Sequence, residues 1–199
     1  VLTLSVFCYA TIVGLRKSGF ENLKEWRLIL NGEIDADIII NGSSRAWVHF
    51  DVKMIDSLMQ TNAYNFGMDG AAFDAQYIRY KSYVNNNTKP RIVIQQVDVD
   101  LLIGNDVTFQ RYQYLAFLNN KEFADLLWKY NVLSMSDIIF PFSIFMGEPK
   151  AIEVGLLEYF SLKHYSNNKY KGFKSNSESW DESKFKANKT NKLIWTPSN

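Results

Sequence analysis

Three short apolar runs separated by stretches of helical spacing constrain this chain more than any other feature. Residues 37–41 (DIIIN) are β-branched and read as a buried strand, and residues 63–66 (AYNF) and 91–97 (RIVIQQV) read as a second and a third. Between the first two, Val52, Ile55, Leu58 and Met59 fall on one face of a short helix that starts at Asp51. Between the second and third, Phe73, Tyr77, Tyr80 and Val84 recur at steps of four, three and four, which predicts a helix over residues 71–84 with that face inward. Strands that alternate with helices in this way predict an α/β domain with a parallel sheet and right-handed crossovers.

Composition narrows the partners. A chain of 199 residues, 47% hydrophobic and 15% aromatic, can bury a sizeable core. Its 22 Lys and Arg nearly balance 21 Asp and Glu, so no broad cationic surface and no nucleic-acid partner are expected. One cysteine, Cys8, excludes an internal disulfide and a Cys-rich metal site.

Residues 1–15 (VLTLSVFCYATIVGL) are uncharged and mostly apolar. They fall short of the roughly 20 residues that cross a bilayer as a helix, and read as the remnant of a signal-anchor, with a soluble core helix as the alternative. Residues 1–17 are therefore assigned to an anchor and 18–199 to the domain, where 18–33 form a helical lead-in. Past the third strand, residues 109–118, 121–130, 134–145 and 151–164 carry helical spacing, broken at Pro141. Residues 101–164 read as a helical insertion whose aromatics belong to a core, and 165–199, rich in Lys, Asn and Ser, as loop.

Ligands of an open parallel sheet sit at the carboxyl ends of its strands, which singles out residues 42–45, 67–70 and 98–100. Asn41, Gly42, Ser43 and Ser44 supply turn and N-cap chemistry where helical spacing begins. The first free N–H groups of a helix favour a hydroxyl or an anion at that point. This block, Ile40-Asn41-Gly42-Ser43-Ser44-Arg45-Ala46, resembles the first block of the SGNH (GDSL-like) hydrolases, a strand followed by Gly-Asp-Ser with a nucleophilic serine. Ser44 takes the nucleophile's place and Ser43 that of the family's Asp. Asn65-Phe66-Gly67-Met68-Asp69-Gly70 resembles the second block, Asn-x-Gly-x-x-Gly, in which a glycine N–H joins the oxyanion hole. By that match Gly70 is the donor, beside the N–H of Ser44.

The resemblance covers residues 37–97 and implies a flavodoxin-like three-layer αβα fold, incomplete within this chain, with no metal and no cofactor. It implies a serine esterase or O-acyltransferase acting on an acylated small molecule or cell-envelope polysaccharide, anchored extracytoplasmically to a membrane by the N-terminal segment. The third block departs from the family's Gly-x-Asn-Asp and reads Gln95-Gln96-Val97-Asp98-Val99-Asp100. An ionised carboxylate cannot donate to an oxyanion, so Gln95 or Gln96 is the expected substitute, with Arg45, Gln96 and Asp98 as substrate-binding residues. Gly104-Asn105-Asp106 lacks the spacer and reads as a turn.

No base is visible. His49 lies about 140° around a helix from Ser44, and His164 lacks the family's Asp-x-x-His pattern. With three strands, a first residue that is not Met and no closing element, the chain reads as part of a longer protein whose Asp-x-x-His block lies beyond Asn199. The alternative is a non-catalytic SGNH-like binding or assembly protein of the cell envelope that presents residues 42–45 as an anion site. A third reading takes Asp98 and Asp100 as ligands of a divalent metal in a nucleotide-sugar enzyme.

Overall fold

The computed structural model describes residues 2–98 and 110–175, and the expected strands form one parallel sheet. The central strand β1 (Ile38–Asn41) pairs with β2 (Ala63–Asn65) on one side and β3 (Ile92–Gln95) on the other, in the order β2-β1-β3. In register, Ile38 lies between Ala63 and Ile92, and Ile40 between Asn65 and Ile94. The protein is thus α/β, with a small open three-stranded sheet and ten helices among the described residues.

All four residues of β1 are buried, which requires cover on both faces of the sheet. Ile39 packs with Ile29, Ile34, Phe66 and Tyr83 against α2 (Leu23–Leu30) and α5 (Phe73–Asn86). Ile38 and Ile40 point the other way, towards Ala46 of α3 (Ser44–His49) and Val52 of α4 (Val52–Met59). The period-2 pleat of one strand therefore assigns a pair of helices to each face.

Two helices bury other residues than their spacing predicts. On α4, which Asp51 caps by accepting from Lys53 N at 2.9 Å, Val52 is buried but Leu58 is 77% exposed and Met59 is exposed as well. On α5, Phe73 and Tyr77 are exposed, and the buried stripe is Ala75, Gln76, Ile78, Arg79, Ser82 and Tyr83. On α5 the physical cause is Arg79. Its guanidinium carbon lies 5.4 Å from the centroid of the Trp26 ring and 5.6 Å from that of Phe66, so a cation occupies the inward position that spacing gives to aromatics.

The remaining helices are α1 (Leu2–Lys17), ahead of the sheet, and five after it: α6 (Tyr112–Leu115), α7 (Lys121–Lys129), α8 (Met135–Ile139), α9 (Phe142–Phe145) and α10 (Pro149–Tyr159). The helix expected over 109–118 contracts to a single turn, and the one over 151–164 stops at Tyr159, with Ser161 turned to a φ of 56°. The interruption at Pro141 is present between α8 and α9. Tyr112, Tyr114, Phe117, Phe123 and Phe145 are buried in one core with Leu15, Trp26 and Ile78, so these aromatics are packing residues.

Residues 165–174, expected as loop, return across the domain in fixed hydrogen bonds. Gly19 N donates to Tyr165 O at 2.7 Å, Asn65 N to Lys171 O at 2.9 Å, and Lys174 N to Trp47 O at 3.2 Å. Lys169 reaches inward, its ammonium donating to Asn22 Oδ1 at 2.8 Å and lying 3.6 Å from the buried Glu25 carboxylate. Burial draws the Lys169 ammonium down to about 8, with Glu25 opposing the shift.

α1 lies against α10, with Cys8, Thr11 and Leu15 buried and Leu4, Val6 and Tyr9 exposed. No helix among the described residues is long and apolar enough to cross a membrane. The contact between the two helices runs through glycines: a Cβ on Gly14 would sit 1.7 Å from Gly155 O, and one on Gly155 2.5 Å from Thr11 O. Backbone cannot retreat as a side chain can. Gly155→Val is therefore expected to destabilise the protein by about 1–3 kcal/mol, read as a fall of several degrees in Tm. An unchanged Tm would mean that the helices do not meet there.

Candidate active site

The site is built where β1 ends. Gly42 follows the strand in a space that admits no side chain, since a Cβ would stand 2.6 Å from the Ala46 Cβ and 2.7 Å from Gln96 Oε1. Ser43 is the N-cap of α3, with extended backbone (φ −81°, ψ −163°) and a hydroxyl that accepts from Arg45 N at 3.3 Å. Ser44 is the first residue inside the helix. It is half-buried, and its hydroxyl makes no hydrogen bond to another described residue. The two serines thus divide the work: one closes the helix end, and the other, beside it, has no hydrogen-bond partner among the described residues.

The second loop is stitched to the same point. Phe66 N donates to Ile40 O at 2.6 Å and Met68 N to Gly42 O at 3.2 Å, which carries the chain past the end of β2 and alongside β1. The Asn65 side chain donates to Ala46 O at 2.8 Å and Phe50 O at 3.0 Å and accepts from Gly67 N at 2.8 Å, tying the loop to α3. A Cβ on Gly67 would meet Trp47 N at 2.3 Å, so only glycine lets the loop lie against the helix backbone. Gly70 follows in the left-handed region, at φ 59°, and is exposed.

Arg45, Gln96 and Asp98 do converge, and Ser43 is what they converge on. The Ser43 hydroxyl donates to Asp98 Oδ2, the Ser43 N–H donates to Gln96 Oε1 at 3.1 Å, and Arg45 Nη1 lies 2.8 Å from Asp98 Oδ1. The Ser43 hydroxyl, then the Gln96 amide, then Arg45 hold the Asp98 carboxyl below the usual carboxylate range. The expectation that Gln95 supplies an oxyanion donor needs correcting. Its amide nitrogen donates to Gln76 Oε1 at 2.9 Å and to Gln96 O at 2.8 Å, and its oxygen accepts from Asn41 at 2.8 Å. Both hydrogens of that amide are already used, on Gln76 of α5 and on Gln96 O, while its oxygen ties β3 to Asn41 of β1.

Neither histidine reaches Ser44 by a hydrogen bond. His49 Nδ1 lies 2.8 Å from Arg45 O in its own helix, and His164 Nδ1 lies 3.0 Å from Oε2 of the buried Glu158. Asp100 and residues 104–106 lie outside the described residues. Among the described residues no group of three or more His, Cys, Asp or Glu side chains is placed to hold a metal ion.

Next to α3 is a cavity of about 420 Å³ that sequence reasoning did not find. Trp47 and Asp69 line one part of it, and Asn22, Asn167, Lys169 and Lys174 another. Both lysine ammoniums lie over the Trp47 ring, at 5.0 Å and 4.5 Å from its centroid. Its walls come from segments far apart in the chain, so no local motif announces it.

A carboxyl held low in the fold stabilises it above the unfolded-state value, and that contribution is lost as pH falls through the folded-state value. Asp98→Asn is expected to lower Tm at neutral pH, with the difference from wild type shrinking as pH drops below about 4. Parallel Tm curves for the two proteins across that range would mean that Asp98 carries no ionised contact.

No family model, no curated protein and no solved structure matches this chain, and the resemblance to the SGNH hydrolases rests on its own loops.

Proposed function

We propose that this chain carries the nucleophile-bearing part of an SGNH-type serine esterase or O-acyltransferase with a flavodoxin-like sheet, acting on acylated small molecules or cell-envelope polysaccharide. The observation that carries the reading is the junction after β1, where Ser43 caps α3 and the Ser44 hydroxyl, at the helix start, bonds to no other described residue. The Gly67 loop, held to Gly42 O and to the α3 backbone, supports it by running alongside the start of α3. In this reading Ser44 Oγ attacks the acyl carbonyl, its proton passes to an imidazole, and the N–H groups of Ser44 and Gly70 receive the oxyanion. His49, with Nδ1 turned to the carbonyl of Arg45, makes no hydrogen bond to Ser44. Asp98 takes no part as a donor: it fixes Ser43 and Arg45, and so the entry angle of α3. Membrane attachment belongs to the same reading, through α1 with its outward Leu4, Val6 and Tyr9 and an extracytoplasmic domain.

A second reading, a non-catalytic SGNH-like binding or assembly protein, is favoured by one feature. The third loop offers a carboxylate where the family has a donor, and the neighbouring Gln95 amide is consumed. Labelling separates the two. A fluorophosphonate probe is expected to modify the full-length protein at Ser44, and Ser44→Ala to abolish both labelling and ester cleavage. Modification at another residue, or none in a preparation that cleaves esters, would sink the hydrolase reading.

A further inference from the structure

The cavity beside α3 shares two walls with the Ser44 site. Trp47 follows Ser44 by one helical turn, and Asp69 immediately precedes Gly70. At about 420 Å³ it falls within the roughly 300–1,000 Å³ of small-molecule sites.

Its lining divides into a fixed floor and an unengaged rim. On the floor, Asn167 donates to Glu21 O at 2.7 Å, and Lys169 is spent on Asn22, Glu25 and Glu21 O. The Glu21 carboxylate accepts from Tyr112. On the rim, the side chains of Asp69, Gln110, Ser166 and Asn168 make no hydrogen bond or ion pair to described residues. The Lys174 ammonium lies over the Trp47 ring and makes no hydrogen bond or ion pair to a described residue. The aromatic surface is Trp47 with Phe20.

This chemistry selects a ligand class. The charges are two acids, Glu21 and Asp69, against two lysines, Lys169 and Lys174, so no net field recruits a polyanion or a polycation. Nine of the eleven lining residues are polar or charged, so a ligand there meets hydrogen-bonding groups at most positions. What remains are amides and a hydroxyl, each able both to donate and to accept, set beside an indole ring. Paired donors and acceptors match neighbouring hydroxyls, and the C–H face of a sugar ring would take the place that the Lys174 ammonium has over the Trp47 ring.

We propose that this cavity is a carbohydrate-binding subsite that holds a neutral, polyhydroxylated saccharide beside Ser44. The inference rests on the ester-chemistry reading for its purpose and on the cavity alone for its binding.

The test is titration of the full-length protein with xylohexaose, chitohexaose and an oligogalacturonate of equal length, followed by calorimetry. At least one of the two neutral probes is expected to bind, with Trp47→Phe weakening it several-fold and Trp47→Ala by about 10-fold or more. Because Trp47 also packs against the Gly67 loop, the exposed rim pair Asp69→Ala/Asn168→Ala serves as a second variant, expected to weaken binding with Tm unchanged. Absence of binding by both neutral probes, binding by the oligogalacturonate alone, or full affinity in the rim variant would overturn the subsite. Fluorophosphonate labelling of the same preparation keeps the two claims apart. Labelled Ser44 without saccharide binding sinks only the subsite. Saccharide binding without labelling leaves the subsite standing in a binding protein.

Discussion

Three charged side chains removed from water, Glu25, Arg79 and Lys169, hold the layers of this protein together. Glu25 is 1% and Arg79 0% exposed, and the Lys169 side chain is 5% exposed. α2 supplies the acid, α5 the guanidinium and the 165–174 segment the ammonium, so a single cluster joins one helical layer to the return segment that lines the cavity. Desolvating each ion costs several kcal/mol, which only dense local compensation offsets. Asn167 and Lys169 bond to the Glu25 carboxylate or lie beside it, and the rings of Trp26 and Phe66 flank the guanidinium. Among the described residues Arg79 Nε and Nη1 have no acceptor, and these ring faces are what the cation has in place of water. Two cations share one acid here, and without Glu25 they would stand unopposed.

That cluster also marks where the sequence stops being legible. Strands could be read because β-branched runs bounded by turn residues have few other uses, and all three lie within a few residues of their expected bounds. Helix existence was legible for the same reason, and the Pro141 break followed from a missing N–H. Helix faces were not. Phe73 and Tyr77 promised the inward side of α5, yet Gln76 and Arg79 took it, because Gln76 bonds Ala71 O and the Gln95 amide while Arg79 lies against the rings of Trp26 and Phe66 with Glu25 as its counter-charge, and no local pattern reports partners so far away. The same limit hid the cavity, whose floor depends on Lys169 meeting Asn22.

At the site itself, local chemistry was legible and long-range chemistry was not. Turn residues after an apolar strand placed a serine cap where one is found, and Ser43 does the capping. The fate of the third loop turned on bonds that close only in space. Gln95 bridges Asn41 and Gln76 across the sheet, and Asp98 bridges Ser43 and Arg45. A residue type that is wrong for an oxyanion donor is right for fixing a helix start, and the sequence alone does not say which duty it serves.

The return segment also decides how this sheet can grow. Lys171 O takes the outward N–H of Asn65, and Gly172, at φ 81°, lies so close that a Cβ would stand 1.9 Å from Asn65 O. That margin of the sheet is shut. The opposite margin, along β3, leaves Ile92 and Val93 exposed. Growth is therefore one-sided: any strand recruited to this sheet, from whatever source, must be added next to β3, on the flank where Gln96 and Asp98 hold the start of α3.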